Sequence, residues 1–129
     1  MSVLAERVDP RQRVQRAHQR AVRTDLPGVV SVLVDTLGKP LLAVIAGRDV
    51  KTIARWASGA HAPTHRDEQR LRNTLQVVEL LSATDSPSVV RAWFMGMNPQ
   101  LDDNSPAEAI AEGQMREVLA AARAYVNAA

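Results

Sequence analysis

The 129-residue sequence contains no cysteine and very few aromatic residues: two Trp, one Tyr and one Phe. The absence of cysteine excludes disulfides and thiolate metal sites. No apolar run approaches the roughly 18 residues of a membrane span, and residues 1–13 lack the apolar region of a signal peptide. We therefore expect a cytoplasmic protein whose core consists mainly of Leu, Val, Ile and Ala, which supply most of its 46% hydrophobic residues.

The sequence also lacks the patterns that accompany catalysis. Its three histidines, His18, His61 and His65, do not share a metal-ligand spacing on one helix, and Pro63 separates the last two. No glycine-rich phosphate loop precedes a helix, and no Ser, His and Asp set has a recognisable context. These absences predict a protein that is not an enzyme and that needs no metal or cofactor.

Charge is segregated along the chain, although the net charge is only +2. Residues 1–24 hold six Arg against two acidic residues, and residues 39–72 hold seven Lys or Arg against three. Residues 73–129 hold three Arg against seven acidic residues. The basic N-terminal part and the acidic C-terminal part of the chain suggest two surfaces with different partners, of which the basic one suits a polyanion.

Apolar residues recur at three- and four-residue steps through most of the chain, which predicts an all-α fold. Residues 25–28, "DLPG", are expected to interrupt helical structure. Asp102 and Asp103 are expected to lie in a turn and to cap the helix that follows. The predicted helices are 10–24 after an Asp9 cap, 29–38 closed by Gly38, 40–46, 50–57 capped by Asp49, a long helix from Thr64 or Asp67 to about Ala83, and helices after Ser86–Pro87, after Ser105–Pro106 and over 114–128.

The stretch "GRDVKTIARWASG" (47–59) and the apolar helix before it match a helix-turn-helix unit. Helical spacing places Ile53 and Trp56 toward the domain and Lys51, Ala54, Arg55 and Ser58 on the opposite face. The small side chain of Ala54 permits close approach of the helix to base edges. The forked guanidinium of Arg55 can donate to both major-groove acceptors of guanine. Lys39 begins the preceding helix, where a phosphate contact is usual. The alternative is an ordinary basic helical hairpin with a structural role.

This stretch resembles the Xre/lambda-repressor-like helix-turn-helix at Gly47, Thr52, Ile53, Arg55, Trp56 and Gly59. The resemblance implies base-facing positions at Val50, Lys51 and Arg55, and phosphate-facing positions at Ser58 and His61. Val50 departs from the usual polar residue and would favour a thymine methyl. The predicted DNA-binding residues are Lys39, Arg48, Val50, Lys51, Thr52, Arg55, Ser58 and His61.

The C-terminal half resembles the toxin-binding domain of the Xre/MbcA/ParS antitoxin family. The matching elements are Trp93–Phe94, "NPQL" (98–101), "SPAEAI" (105–110), Gly113 and the last helix. The resemblance implies an antitoxin and autorepressor that blocks an NAD-degrading toxin of the RES fold. The predicted toxin-binding or dimerisation residues are Trp93, Phe94, Leu101, Leu119 and Tyr125, of which Trp93, Phe94, Leu119 and Tyr125 alternatively form a core or a dimer interface.

Together these patterns predict three modules: a basic helix or arm (1–26), a helix-turn-helix domain (27–83) and a C-terminal helical module (84–129). The expected partners are double-stranded DNA with an inverted repeat, a second copy of the chain and a RES-type toxin. One alternative is a stand-alone repressor, for example a prophage immunity repressor, whose C-terminal half only dimerises. Another is an interaction protein that keeps a degenerate helix-turn-helix as a scaffold.

Overall fold

A computed structural model describes residues 11–12 and 25–128 of the chain. Residues 25–128 form α-helices and one 3-10 helix without any strand, which confirms the all-α fold. The helices are α1 (Leu26–Leu37), α2 (Lys39–Ala46), α3 (Val50–Ser58), α4 (His65–Ser82), α5 (Pro87–Met95), the 3-10 helix (Pro99–Leu101), α6 (Pro106–Ala111) and α7 (Met115–Ala128). The predicted helix 10–24 and its Asp9 cap lie outside the described residues, except for Arg11 and Gln12, which are helical.

The first described helix starts earlier than its sequence predicts. Helix α1 begins at Leu26, with Pro27 in its first turn, so the prediction of a chain break over 25–28 is wrong. Proline is compatible with the first helical turn because the N–H that it lacks would have no intrahelical partner there. Gly38 follows the last residue with φ 84°, a conformation that favours glycine, as the predicted stop requires.

Local caps set the ends of the helices around the basic stretch. The Asp49 carboxylate accepts the N–H of Thr52 at 2.8 Å at the start of α3. Helix α3 extends to Ser58, one residue beyond the prediction, and ends at Gly59 in the left-handed conformation. Of the two candidates for the N-cap of α4, the structure selects Thr64, whose hydroxyl accepts the N–H of Asp67 at 3.1 Å.

Two Ser-Pro pairs begin α5 and α6 in the second half of the chain. Ser86 accepts the N–H of Val89, and Ser105 accepts the N–H of Glu108, as the sequence predicts. Asp102 and Asp103 lie in the predicted turn, with φ of 55° and 65°. Their predicted role as the cap of α6 is wrong, because Ser105 provides that cap.

One hydrophobic core joins the helices on both sides of the predicted boundary at residues 83 and 84. Its buried side chains extend from Val29 to Val126. Helix α2 packs against α6, and α4 packs against α7. The Arg91 guanidinium donates to the Thr36 carbonyl at 2.9 Å, which ties α5 to the end of α1. The predicted modules 27–83 and 84–129 therefore share one core, and their division stays a prediction.

Within residues 25–128, no single helix is long and apolar enough to cross a membrane. Helices α1 and α2 pass that test of length and composition only as a pair, with a bend of 119° between them.

The shared core makes stability sensitive to Phe94, which is fully buried on α5. We expect Phe94→Ala to lower the free energy of unfolding by about 3–5 kcal/mol, because it removes apolar contacts and leaves a cavity. Met97→Ala is the control, since Met97 is 81% exposed and its truncation should change stability by less than about 0.5 kcal/mol. Urea denaturation followed by circular dichroism measures both. Equal small losses in the two variants would contradict a core that includes α5.

Candidate nucleic-acid interface and partner surface

Helices α2 and α3 form a pair joined by the turn Gly47–Asp49. The pair packs together, and α3 also packs against α1. Ile53 is fully buried and Trp56 is 3% exposed, so these two side chains anchor α3 to the core. Lys51, Arg55 and Ser58 are exposed on the other side of the helix. The geometry that the sequence predicts for this helix, with one anchored and one open face, is therefore present.

The other exposed residues of the predicted DNA-binding set lie around α3. Lys39 is exposed at the first position of α2. Val50 is 44% exposed at the start of α3, and His61 is exposed in the loop that follows it. Ser58 has a structural role as well, since its hydroxyl donates to the Arg55 carbonyl at 3.1 Å and accepts the N–H of Ala60 at 3.3 Å. Contact of these residues with DNA stays a prediction.

Arg48 and Thr52 are held by intramolecular contacts. The Arg48 guanidinium forms an ion pair with the Asp67 carboxylate at 2.8 Å, although the Arg48 side chain stays 46% exposed. Asp67 also accepts the Thr64 hydroxyl at 3.0 Å. Hydrogen bonds from the Thr52 hydroxyl and then from its backbone N–H hold the pKa of the exposed Asp49 carboxyl below its ordinary 3.8. Sequence reasoning missed Asp67, which is 19 residues away from Arg48.

A polar cleft separates α3 from the N-terminal end of α4. It has a volume of about 270 Å³ and is lined by Arg48, Thr52, Arg55, Trp56, His61, Ala62, Pro63, Thr64 and Asp67. Among the described residues, the indole Nε1 of Trp56 is the one buried side-chain nitrogen or oxygen without a hydrogen-bond partner. Four predicted DNA-binding residues, Arg48, Thr52, Arg55 and His61, thus meet at one cleft.

The predicted toxin-binding set divides into exposed and buried members. Tyr125 is 37% exposed, and Trp93 and Leu119 are half-buried. Phe94 is fully buried and Leu101 is 6% exposed, so these two side chains belong to the chain's own core and not to an exposed surface. For Phe94 the structure selects the core position that the sequence leaves open as the alternative, and the burial of Leu101 does not support its predicted partner contact.

Three aromatic rings meet where α5 packs near α7. The Trp93 ring lies edge-on to Phe94 at 5.3 Å between centroids and is tilted to Tyr125 at 6.3 Å. The Tyr125 hydroxyl donates to the Asp85 carboxylate at 2.9 Å. That hydrogen bond, and to a smaller extent burial, raises the pKa of Tyr125 above its ordinary 10.0. Asp85 is 40 residues from Tyr125, and no sequence pattern pairs the two.

An apolar groove that sequence reasoning missed lies between α2, the end of α5 and α6. It has a volume of about 440 Å³, and its lining includes Leu41, Val44, Met95 and Ala107, with Glu108 as the one charged residue. Val44 is 48% exposed and Met95 is 59% exposed. No sequence pattern marks this groove, because its lining comes from helices that only the fold brings together.

The acidic segment of the second half lines a separate polar cavity of about 320 Å³. Asp102, Glu112 and Glu117 contribute its carboxylates, and Asn104 donates to the Glu112 carboxylate at 3.2 Å. Among the described residues, no group of three or more His, Cys, Asp or Glu is arranged to hold a metal ion. The cavity therefore presents a carboxylate-rich surface at the "PQLDDN" turn.

The arrangement defines an α-helical protein in which α3 presents an exposed basic face, while the second half carries the partly exposed Tyr125 and an acidic cavity. Comparison with known proteins finds similarity to the mycobacterial cidal antitoxin MbcA of Mycobacterium tuberculosis and of Mycobacterium bovis. The chain is 27% identical to each over 97 residues, which is 74% of this chain and 86% of the relative. No family model and no solved structure matches the chain. The similarity supports a relationship to antitoxins.

The hydrogen bond between Tyr125 and Asp85 predicts an elevated phenol pKa that is simple to measure, because Tyr125 is the only tyrosine in the chain. A titration of phenolate absorbance should give a pKa above 10.0 in the native protein. Asp85→Ala should lower the pKa of Tyr125 toward 10.0, since the charged hydrogen-bond acceptor is removed. Glu108→Ala serves as the control because its carboxylate does not contact Tyr125. A native pKa at or below 10.0 would contradict the contact.

Proposed function

We propose that the protein is an antitoxin that neutralises a partner toxin and also represses transcription by binding DNA through α3. The observation that carries the antitoxin role is the similarity to MbcA, which extends over 74% of the chain. The toxin that the family resemblance implies is an NAD-degrading enzyme of the RES fold. In this proposal the protein acts in the cytoplasm by binding alone, without catalysis, metal or cofactor.

The DNA-binding role rests on the two faces of α3. Because Ile53 and Trp56 fix the helix to the core, Lys51 and Arg55 project from a rigid element. Within residues 25–128, neither of these cations is in an ion pair, so both charges are available to a polyanion. A short cationic helix with a small residue at Ala54 suits the major groove, where Arg55 would read guanine while Lys39 contacts a phosphate.

The repressor is proposed to act as a homodimer. One helix of this size contacts too few base pairs for useful specificity, so two copies would bind half-sites about one helical turn, ~34 Å, apart. The apolar groove of Leu41, Val44 and Met95 is the proposed contact between copies. Val44 is 48% exposed and Met95 is 59% exposed at this groove, and a two-fold interface requires a self-complementary patch of such apolar side chains.

The toxin is proposed to bind the acidic second half. Residues 73–129 hold seven acidic side chains against three Arg, so this half complements a cleft that binds an anionic dinucleotide. Tyr125 is the proposed anchor, because exposed amphipathic rings supply much of the binding energy at protein interfaces while charges steer association. One chain would then hold DNA and toxin on different surfaces.

A second candidate function is a stand-alone repressor whose second half only dimerises, and the second half supplies Met95, Ser105, Ala107 and Glu108 to the apolar groove. The two functions differ in the need for Tyr125 and for a toxin partner. Purification of the protein from its native host, followed by identification of co-eluting proteins, separates them. A small RES-type toxin among those proteins supports the antitoxin, whereas a homodimer alone supports the stand-alone repressor.

Arg55 and Lys39 should have different effects on DNA binding. Arg55→Ala should weaken binding to the cognate duplex by about 1–3 kcal/mol and relax preference at one base pair. Lys39→Ala should weaken binding to all sequences alike and lower the slope of log K against log salt by about one unit. Binding titrations with the promoter region of the protein's own gene and with a scrambled duplex, at several salt concentrations, measure both effects. Equal, sequence-independent losses in the two variants would refute the assignment of Arg55 to a base.

Tyr125 should matter for neutralisation and not for DNA. Tyr125→Ala removes the proposed anchor and should weaken toxin binding by about 2 kcal/mol or more. Tyr125→Phe, the matched control, keeps the ring and loses only the hydrogen bond to Asp85. Growth of cells that co-express the partner toxin identified by co-elution, together with DNA binding by each variant, gives the readout. Full rescue by Tyr125→Ala at wild-type protein levels would contradict the proposed toxin surface.

A further inference from the structure

We propose that α4 sets the angle of α3 through a clamp on the turn between α2 and α3, and that Asp67 is the positioning residue on which sequence specificity depends. The clamp joins Ala46 and Arg48, at the two ends of the turn, to Arg70 and Asp67 of α4. In this role Arg48 acts through Asp67 and does not contact DNA. The inference rests on the proposed function, because it assigns residues outside the DNA surface to the reading of bases by α3.

The first contact of the clamp is the ion pair between the turn and the start of α4. The Arg48 guanidinium donates to Oδ2 of Asp67 at 2.8 Å, and the Asp67 side chain is only 8% exposed. The Thr64 hydroxyl donates to the same oxygen at 3.0 Å and accepts the Asp67 N–H, so the cap of α4 holds the carboxylate in place. A buried carboxylate requires charged or polar partners, and this one therefore keeps Arg48 against α4.

The second contact of the clamp lies one turn further along α4. The half-buried Arg70 donates to the carbonyl of Ala46, the last residue of α2, at 3.4 Å. Gly47 stands between the two contacts in the left-handed conformation. Asp49, the N-cap of α3, directly follows Arg48. Together the two contacts hold the residues that lead from α2 into α3.

The angle of α3 decides whether its side chains reach base edges. Ile53 and Trp56 fix which face of α3 is buried, whereas the clamp fixes the turn from which the helix starts. Arg55 lies five residues after Val50, ~7.5 Å along the axis, so a tilt of ~10° about the turn displaces it by ~1.3 Å. A hydrogen bond to a base tolerates a displacement of only about 0.5 Å. A tilted α3 would therefore lose base reading while its charge still attracts DNA.

Removal of the Asp67 charge distinguishes the clamp from simple electrostatics by the sign of its effect. Asp67→Asn keeps the size of the side chain, and the loss of a negative charge, like the release of Arg48 to a phosphate, would by itself tighten binding to every duplex. The clamp predicts instead that the ratio of cognate to scrambled affinity falls about tenfold or more, as for one lost base contact. Glu68→Gln is the matched control with a wild-type ratio, because it removes the same charge one residue away from a carboxylate that pairs with Arg72 on its own helix.

Arg48→Met removes the other partner of the ion pair. The Arg48 side chain is 46% exposed, so this variant is expected to fold even if Asp67→Asn does not. The affinity ratio should fall as in Asp67→Asn, the salt slope should stay unchanged, and the double variant should lose no more than either single one, because both act through one contact. Equal losses on both duplexes with a salt slope lower by about one unit would identify a phosphate contact of Arg48 and overturn the proposal. Thermal denaturation sets a temperature at which all variants compared are folded.

A measurement without DNA reports the position of α3 itself. Because the chain contains no cysteine, spin labels can be attached at Ser58→Cys, at the far end of α3, and at Arg123→Cys on α7, both at exposed positions. Ser58 lies eight residues after Val50, ~12 Å along the axis, so a tilt of ~10° moves it by ~2 Å. Double electron–electron resonance should show a shifted or broadened distance distribution in Asp67→Asn and the wild-type distribution in Glu68→Gln.

The outcomes separate the clamp from the proposed function. If the cognate duplex is preferred and Asp67→Asn keeps the wild-type affinity ratio, the clamp is refuted and DNA binding stands. A lower ratio with unchanged label distances also refutes the clamp, since the angle of α3 is then not the cause. If the wild-type protein binds no duplex, or binds both alike, the proposed DNA recognition fails and the distances decide. A changed distribution in Asp67→Asn then supports the clamp, and an unchanged one refutes it. Arg48→Met replaces Asp67→Asn in both measurements if the latter does not fold.

Discussion

The burial of Ile53 and Trp56 is the constraint on which the proposed activity depends. A helix of nine residues has little stability alone and needs tertiary packing to persist. These two side chains supply that packing. The Asp49 cap fixes where α3 begins, and Gly59 in the left-handed conformation fixes where it ends. The exposed cations of α3 are therefore presented by a rigid element, which is what recognition of a defined base requires.

Ile53 and Trp56 lie in a hydrophobic core to which both halves of the chain contribute side chains. Helix α2, which precedes the anchored helix, packs against α6 from the second half, so a partner bound to the second half sits on the same rigid body as α3. The opposite charges of the two halves nevertheless favour unlike partners. An antitoxin that is also a repressor needs this combination, in which two partners bind different surfaces of one framework.

Much of the fold could be predicted because its signals are local. Ser86, Ser105 and Thr64 cap helices through contacts three residues away, and Ile53 and Trp56 repeat at helical spacing. The predicted break over 25–28 is wrong because Pro27 lies in the first turn of α1, which tolerates proline there as it does at Pro87 in α5 and Pro106 in α6.

The parts of the site that sequence reasoning missed depend on contacts between distant residues. Arg48 pairs with Asp67 across 19 residues, and Tyr125 bonds to Asp85 across 40. The apolar groove needs side chains from α2, α5 and α6 at once. For Phe94 the sequence leaves a core position open as the alternative, and its burial selects that alternative. Leu101 gives no such signal, because an apolar residue looks the same in a sequence whether it is buried or exposed. Only the packing of the helices distinguishes these cases.

Sequence-specific recognition of DNA by the anchored α3 is the central claim, and selection from a pool of random duplexes tests it most directly. The purified 129-residue protein is incubated with the pool, bound duplexes are recovered and amplified, and the enriched sequences are aligned. The account predicts an inverted repeat whose half-sites have centres about 10 base pairs, or one helical turn, apart. A pool that stays random after repeated rounds, although duplexes are retained, would contradict it, because the protein would then bind DNA only through its charge.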